Sequence, residues 1–314
     1  MRKDILKLLI LIGIVLVLSV LPLFVSQFFI TMIIRIIYYG LLAAAFSFLA
    51  GQLGLFSLMV PVSFAISGYA IAIFETKNIL YFPYSALMGI LLALILSAFF
   101  GILVNRSKGT YFLMLTLVLG QVVWAIALQW VSLTKGTTGI TGINRPAFLA
   151  KLSENSNVAF YYFVLVVFLI CIVGLYALIN SSFGMKLRGI RESESRMIML
   201  GYNVSLIKWI AFMISSFISS ISGVLFVYFV RLINPDSIGL TAAVNVMIAS
   251  IFGGINSIFG AILGTGIIKT FEIVLSGITQ RYLLIIGIMF LLVIIFIPKG
   301  IVSIIEQIRK FIKK

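Results

Sequence analysis

Residues 242–275 read AAVNVMIASIFGGINSIFGAILGTGIIKTFEIVL. The run is apolar enough for hydrocarbon, yet it is longer than the about 20 residues one helix needs to cross a membrane. Gly253, Gly254, Asn256 and Ser257 fall together near its middle. How this stretch divides decides whether the chain crosses an odd or an even number of times. That in turn decides whether its two ends share a face.

Further apolar stretches lie at roughly 5–25, 28–50, 58–74, 84–104, 110–131, 158–179, 209–230 and 282–297. A chain of 314 residues that is 62% hydrophobic and 10% charged belongs in lipid, since water-soluble domains carry about 25% charged residues. The opening MRKDILKLLILIGIVLVLSVLPLF (1–24) has the basic flank of a signal peptide but a longer apolar stretch and no small-residue cleavage site. It is expected to stay attached as a first membrane helix.

Charge sets the orientation. With the N-terminus inside, the inner segments carry Arg2, Lys3, Lys7, Arg106, Lys108, Lys186, Arg188, Arg191, Arg196, Lys208, Lys299, Arg309, Lys310, Lys313 and Lys314, fifteen of the 23 basic residues. The outer segments hold Lys77, Lys135, Arg145, Lys151, Arg231 and Arg281. The positive-inside rule therefore puts both termini and the 180–208 loop in the cytoplasm. Two inner ends require an even number of crossings, so 242–275 is read as two segments joined at FGGINSIFG (252–260), giving about ten in all.

A second interruption, AGQLGLFSLMVPVSFAISGYA (50–70), contains Gly51, Gly54, Pro61 and Gly68. Paired breaks of this kind flank a central pathway in many transporters, although glycines also serve simple close packing of helices. The candidate path residues are Gly51, Gln52, Gly54, Ser57, Ser63 and Ser67 in the first break, with Gly253, Gly254, Asn256 and Ser257 in the second. They offer only neutral polar groups and freed backbone. Such a path is expected to hold a charged or zwitterionic ligand weakly. Of the ionisable residues within apolar runs, Arg35 is expected to snorkel to the interface. Lys269 and Glu272, three apart on one helix face, are expected to neutralise each other.

Several function classes lack their chemistry. The chain has no His, a single Cys171 and eight acidic residues that are dispersed apart from Glu192 and Glu194. This provides no catalytic site, no metal site and no cofactor motif. GTGIIKT (264–270) fails the nucleotide-loop pattern because lysine does not directly follow glycine. A membrane enzyme is the poorest reading, and a secondary transporter or channel ranks above it.

The polar island is NSSFGMKLRGIRESESRMIMLGYNVSLIK (180–208). Ser193 or Ser195 can cap a short amphipathic helix, Met197 and Leu200 would share a face, and Gly201 suits a left-handed stop. Such a helix either rests on the lipid surface or docks on a cytoplasmic partner through its exposed Met and Leu.

Four stretches together resemble the permeases of branched-chain amino-acid ABC importers, the LivM-like subunit in particular. They are 181–225, SSFGMKLRGIRESESRMIMLGYNVSLIKWIAFMISSFISSISGVL; 109–143, with GTYFLMLTLVLGQVVWAIALQW and SLTKGTTGITGI; 50–70; and IFGGINSIFGAILGTGI (251–267). The resemblance implies an all-α integral membrane protein of the LivH/LivM-type permease fold, with about ten segments and glycine-broken helices. It further implies a single transmembrane permease domain over 1–314, a cytoplasmic coupling loop at about 180–208 and an external loop at about 132–157. Arg191, Glu192, Glu194, Arg196, Met197, Leu200 and Gly201 would form the helix that docks on an ATPase subunit.

The implied partners are a second homologous permease, two cytoplasmic ATPase subunits that hydrolyse the ATP, an extracytoplasmic solute-binding protein and a bacterial-type plasma (inner) membrane. No nucleic acid and no cofactor are implied. The implied function is translocation of branched-chain or related amino acids delivered by the binding protein. Urea, amides, sugars or nucleosides remain alternative cargoes for the same fold. The sequence departs from the family pattern at Ser57 to Val60, Gln121, Asn256, Met197 and Met199.

Overall fold

A computed structural model describes Pro22, residues 25–146 and 156–296, and Gly300 with Ile301. The stretch expected at 5–25 falls almost wholly outside the described residues. Twelve helices make up the described chain. They are α1 (Gln27–Ser47), α2 (Val60–Thr76), α3 (Tyr84–Val104), α4 (Gly109–Gln129), the short α5 (Val131–Thr134), α6 (Ser156–Asn180), α7 (Ser182–Glu192), α8 (Glu194–Met199), α9 (Val204–Val230), α10 (Leu240–Gly253), α11 (Ile258–Ser276) and α12 (Tyr282–Phe296). Among the described residues, seven helical segments are long and apolar enough to cross a membrane, including Gln27–Leu53, Val204–Val230 and Ile258–Ser276, and Val60–Thr76 is a shorter apolar helix.

Both interruptions are real, and they differ in form. After Ser47 the helix continues as a π-turn over Phe48–Leu53, ends at left-handed Gly54 (φ 77°), and restarts at Val60 with Pro61 in its first turn. The expected 242–275 run divides as expected: α10 stops at Gly253, and α11 starts at Ile258 with Ser257 accepting a hydrogen bond from Gly260 N at 3.2 Å. The two breaks meet. A Cβ on Gly51 would stand 2.2 Å from the Ile255 carbonyl oxygen, so no other residue fits there without moving backbone, and Ser47 Oγ donates to that same carbonyl at 2.8 Å.

The central helix is α9. Its SSFISSISG repeat (215–223) puts hydroxyls on the faces that meet α1 and α2. Ser215 Oγ donates to Ala45 O at 2.9 Å, Ser222 Oγ to Tyr38 O at 2.6 Å, and Ser219 Oγ to Val60 O, while Ser67 Oγ of α2 donates back to Ser220 O at 2.8 Å. Small hydroxyl side chains let helices approach closely and supply hydrogen bonds where lipid supplies none. Around them pack Tyr38, Tyr39, Phe64, Phe226 and Phe229, in tilted, stacked and edge-on contacts. At the far end of α2, the Tyr228 hydroxyl donates to Glu75 Oε1 at 2.7 Å and Ser85 Oγ donates to the same oxygen at 2.9 Å, tying α2, α3 and α9.

The loop after α4 carries a two-residue antiparallel pairing, Ile140 with Ile233 and Thr141 with Leu232. Arg145 donates to Asn157 Oδ1 at 2.8 Å and lies 5.1 Å from the Phe160 ring centroid. Burial, and then the like charge of Arg231, lower its pKa.

Candidate functional site

The polar island folds as two helices. Ser181 caps α7, which turns Gly184, Leu187 and Ile190 inward, and the chain bends at Ser193, whose Oγ accepts from Arg196 N at 3.3 Å to start α8. The stop matches the sequence reading. Gly201 has φ 82°, its N–H reaches Ile198 O at 2.9 Å, and Tyr202 N reaches Met197 O at 3.1 Å. These two bonds are the paired closure of a left-handed helix end. Asn203 then caps α9 by accepting from Leu206 N at 3.1 Å. The 180–208 loop is therefore mostly helical, and Lys208, expected in it, is buried in the second turn of α9.

The arginines of α7 point at the breaks. Arg191 Nη1 donates to the Gly51 carbonyl and, at 2.8 Å, to Asn256 Oδ1, so one guanidinium holds both broken helices. Arg188 Nη1 donates to Gln52 Oε1 at 3.0 Å and to Ile179 O at 3.1 Å. Glu194 turns the other way, with Lys208 Nζ at 2.8 Å and Lys108 Nζ at 3.5 Å from its two oxygens. Because Lys208 is almost fully buried, Glu194 is its neutralising partner, a role the sequence reading, which placed Glu194 on the docking helix, did not assign.

Met197 departs from expectation. It is buried beneath Gly189, where a Cβ would meet its sulfur at 2.8 Å, so it does not share an outward face with Leu200. The exposed apolar tip is Ile198, Met199 and Leu200, with Met199 86% exposed. Glu192 and Arg196 are also exposed.

On the side away from α7, a cavity of about 620 Å³ opens between α1, α2, α4, α9, α10 and α11 and the turn at Pro235–Ser237. Its apolar wall includes Leu42, Pro61, Phe64, Phe226 and Val246, and its polar wall includes Gln121, Trp124, Asn234, Asp236, Asn245, Thr265, Lys269 and Glu272. Lys269 Nζ lies 2.6 Å from Glu272 Oε2 and 4.0 Å from the Tyr39 ring centroid.

None of the ten candidate path residues lines this cavity. Gly51, Gln52, Gly54 and Asn256 lie at the arginine contacts instead. Ser57 accepts from Met59 N at 3.3 Å, Ser63 pairs with Ser97 of α3 at 2.9 Å, and Ser67 serves α9. Gly253 crosses against Gly260, with Gly254 beside it at the break, and Ser257 is the cap of α11. The sequence reading missed Asp236, Asn245 and Gln121 as lining residues. It did record Lys269 and Glu272, as a self-neutralising pair rather than part of a wall.

A family model described as "Branched-chain amino acid transport system / permease component" matches residues 28–297. The chain belongs to this family. The permease is 25% identical over 290 residues to the high-affinity branched-chain amino acid transport system permease protein LivM of Escherichia coli (strain K12), covering 83% of this chain and 67% of that protein. It is 25% identical over 224 residues to LivM of Salmonella typhimurium (strain LT2), covering 64% of this chain and 52% of that protein, so it spans about half the length of that relative. LivH of the same Salmonella strain is 27% identical over 188 residues, covering 57% of this chain and 61% of LivH. No solved structure matches the permease. Family membership and the seven apolar spans make it a multi-pass transmembrane component that is not itself catalytic.

Proposed function

We propose that the permease is the membrane subunit of an ATP-driven importer for branched-chain or related amino acids, with α7 and α8 as its coupling element and the cavity as its substrate chamber. The observation that carries this reading is Arg191. It lies on the element that ends in the exposed Ile198–Leu200 tip, and it holds the Gly51 carbonyl and Asn256 Oδ1 together. A partner that pulls on the tip would draw the guanidinium from one or both breaks. On this reading the breaks, tied by Arg191, form the cytoplasmic closure, so their separation would open the chamber toward the side of α7.

The same reading assigns the partners. The apolar tip suits a pocket on an ATPase subunit; a second permease, a second ATPase chain and an extracytoplasmic binding protein would complete the importer. The basic bias favours cytoplasmic termini in a bacterial-type plasma membrane. The external loop at 132–157, pinned by the Ile140–Ile233 pairing, would receive the binding protein.

The test is co-purification in mild detergent from the native host. Two ATPase chains and a second permease are expected with the wild-type chain. The Met199→Asp/Leu200→Asp variant should fold and insert but lose the ATPase chains. Retention of the ATPase by that variant would assign the tip to the lipid surface instead.

A further inference from the structure

Lys269 and Glu272 stand on α11, inside a helix long and apolar enough to cross a membrane, and both line the cavity. Ionisable groups at such positions are costly and tend to mark substrate pathways. Folding alone gives little reason for this pair. An i,i+3 ion pair adds little to a helix, and apolar side chains of similar volume pack as well without the desolvation cost. The pair is also not sealed off: the two side chains are 15% and 31% exposed, and that exposure includes the cavity they line.

We propose that Lys269 and Glu272 form a template for a zwitterion. Resting on the permease reading above, this names the chemistry by which its chamber recognises cargo. The carboxylate of the ligand is taken by Lys269 and its ammonium by Glu272, so the ligand inserts into a pair that already neutralises itself. One internal salt bridge becomes two, and no net charge is added to the interior. The Tyr39 ring, 4.0 Å from Nζ, holds the lysine through its π-face while Glu272 turns toward the ammonium. Leu42, Phe64, Phe226 and Val246 supply an apolar wall for an aliphatic side chain.

Selectivity follows from charge accounting. A ligand with only a carboxylate leaves Glu272 without a partner, one with only an ammonium leaves Lys269 without one, and a neutral sugar or nucleoside cannot replace the bond it would have to open. Discrimination therefore begins inside the permease rather than resting wholly on a binding protein. Asp236, also on the cavity wall and exposed to water, adds a negative field that favours approach by the ammonium end.

The full-length permease in lipid nanodiscs provides the test, with Trp124 emission as the readout because that indole lines the same cavity. L-leucine should give a saturable change that is lost in Trp124→Phe. Leucinamide and 4-methylpentanoate, each lacking one charge, should bind the wild-type chain about tenfold more weakly or worse. The Lys269→Gln/Glu272→Gln variant should show the same loss for L-leucine with an unchanged thermal midpoint. The template is overturned if the variant or either analogue binds within about twofold of L-leucine on the wild-type chain, or if L-leucine gives no saturable change. The analogue comparison decides even if the variant folds poorly. Failure of ATPase chains to co-purify with the wild-type chain, or their retention by the Met199→Asp/Leu200→Asp variant, would count against the coupling reading alone and leave the leucine result to judge the template.

Discussion

The two helix breaks are held in different ways. The first is held mainly by shape, with Arg191 and Arg188 adding bonds to Gly51 and Gln52 at its edge: every residue of Phe48–Leu53 is buried, and Phe48 has no exposed surface. The second is short, from Gly254 to Ser257, and is held by polar ties: Ser47 on the Ile255 carbonyl, Arg191 on Asn256, and Ser257 as the cap of α11. Close packing resists small displacements in every direction, whereas a hydrogen bond can be exchanged for one to water at little net cost. The first break is thus the anvil and the second the part that yields.

The strongest challenge to this contrast is Phe48→Ala. If shape holds the first break, the variant should lose about 3–5 kcal/mol of stability, seen as a large fall in thermal midpoint in detergent and poor recovery of monodisperse protein. A loss no greater than that of the polar variants below would erase the distinction. Arg191→Met keeps bulk but removes the donors. Charge-assisted hydrogen bonds contribute about 1.5–3 kcal/mol, so ATP-driven uptake should fall about tenfold or more while the protein stays folded. Normal uptake would show that the guanidinium plays no part in coupling. The smallest effect is expected from Ser257→Ala, about 1 kcal/mol from the lost cap, with uptake retained. A collapse of the fold there would mean that the second break is as rigid as the first.

Much of this architecture was legible in the sequence because membrane segments announce themselves by length and apolarity, and the parity of crossings forced the division at Gly253–Ser257. The Ser193 and Gly201 signals also translated directly, since caps and left-handed stops are local. What failed was long-range. Nothing near Met197 in sequence says that Gly189 leaves room for it underneath, and nothing near Glu194 says that Lys208, fourteen residues on, buries its ammonium against it. The candidate path was drawn from the breaks themselves, but in three dimensions the breaks sit beneath the cavity. The cavity wall is assembled from single residues such as Gln121, Asp236 and Asn245, contributed by separate elements. Lys269 and Glu272 were visible from the start; which way they faced was not.

The serine ladder of α9 has a mechanical consequence. Its hydroxyls bond to carbonyls on α1 and α2 at several levels, from Ala45 and Val60 to Tyr38. These three helices should therefore move as one stiff body. The chain between α8 and α9 is only Leu200 to Asn203, so a force applied at Met199 meets that body almost at once and cannot be absorbed by bending α9. It is expected to turn α7 and α8 together about the Leu200–Asn203 link to α9 instead, with the ladder as stator and Arg191 as the end of the crank.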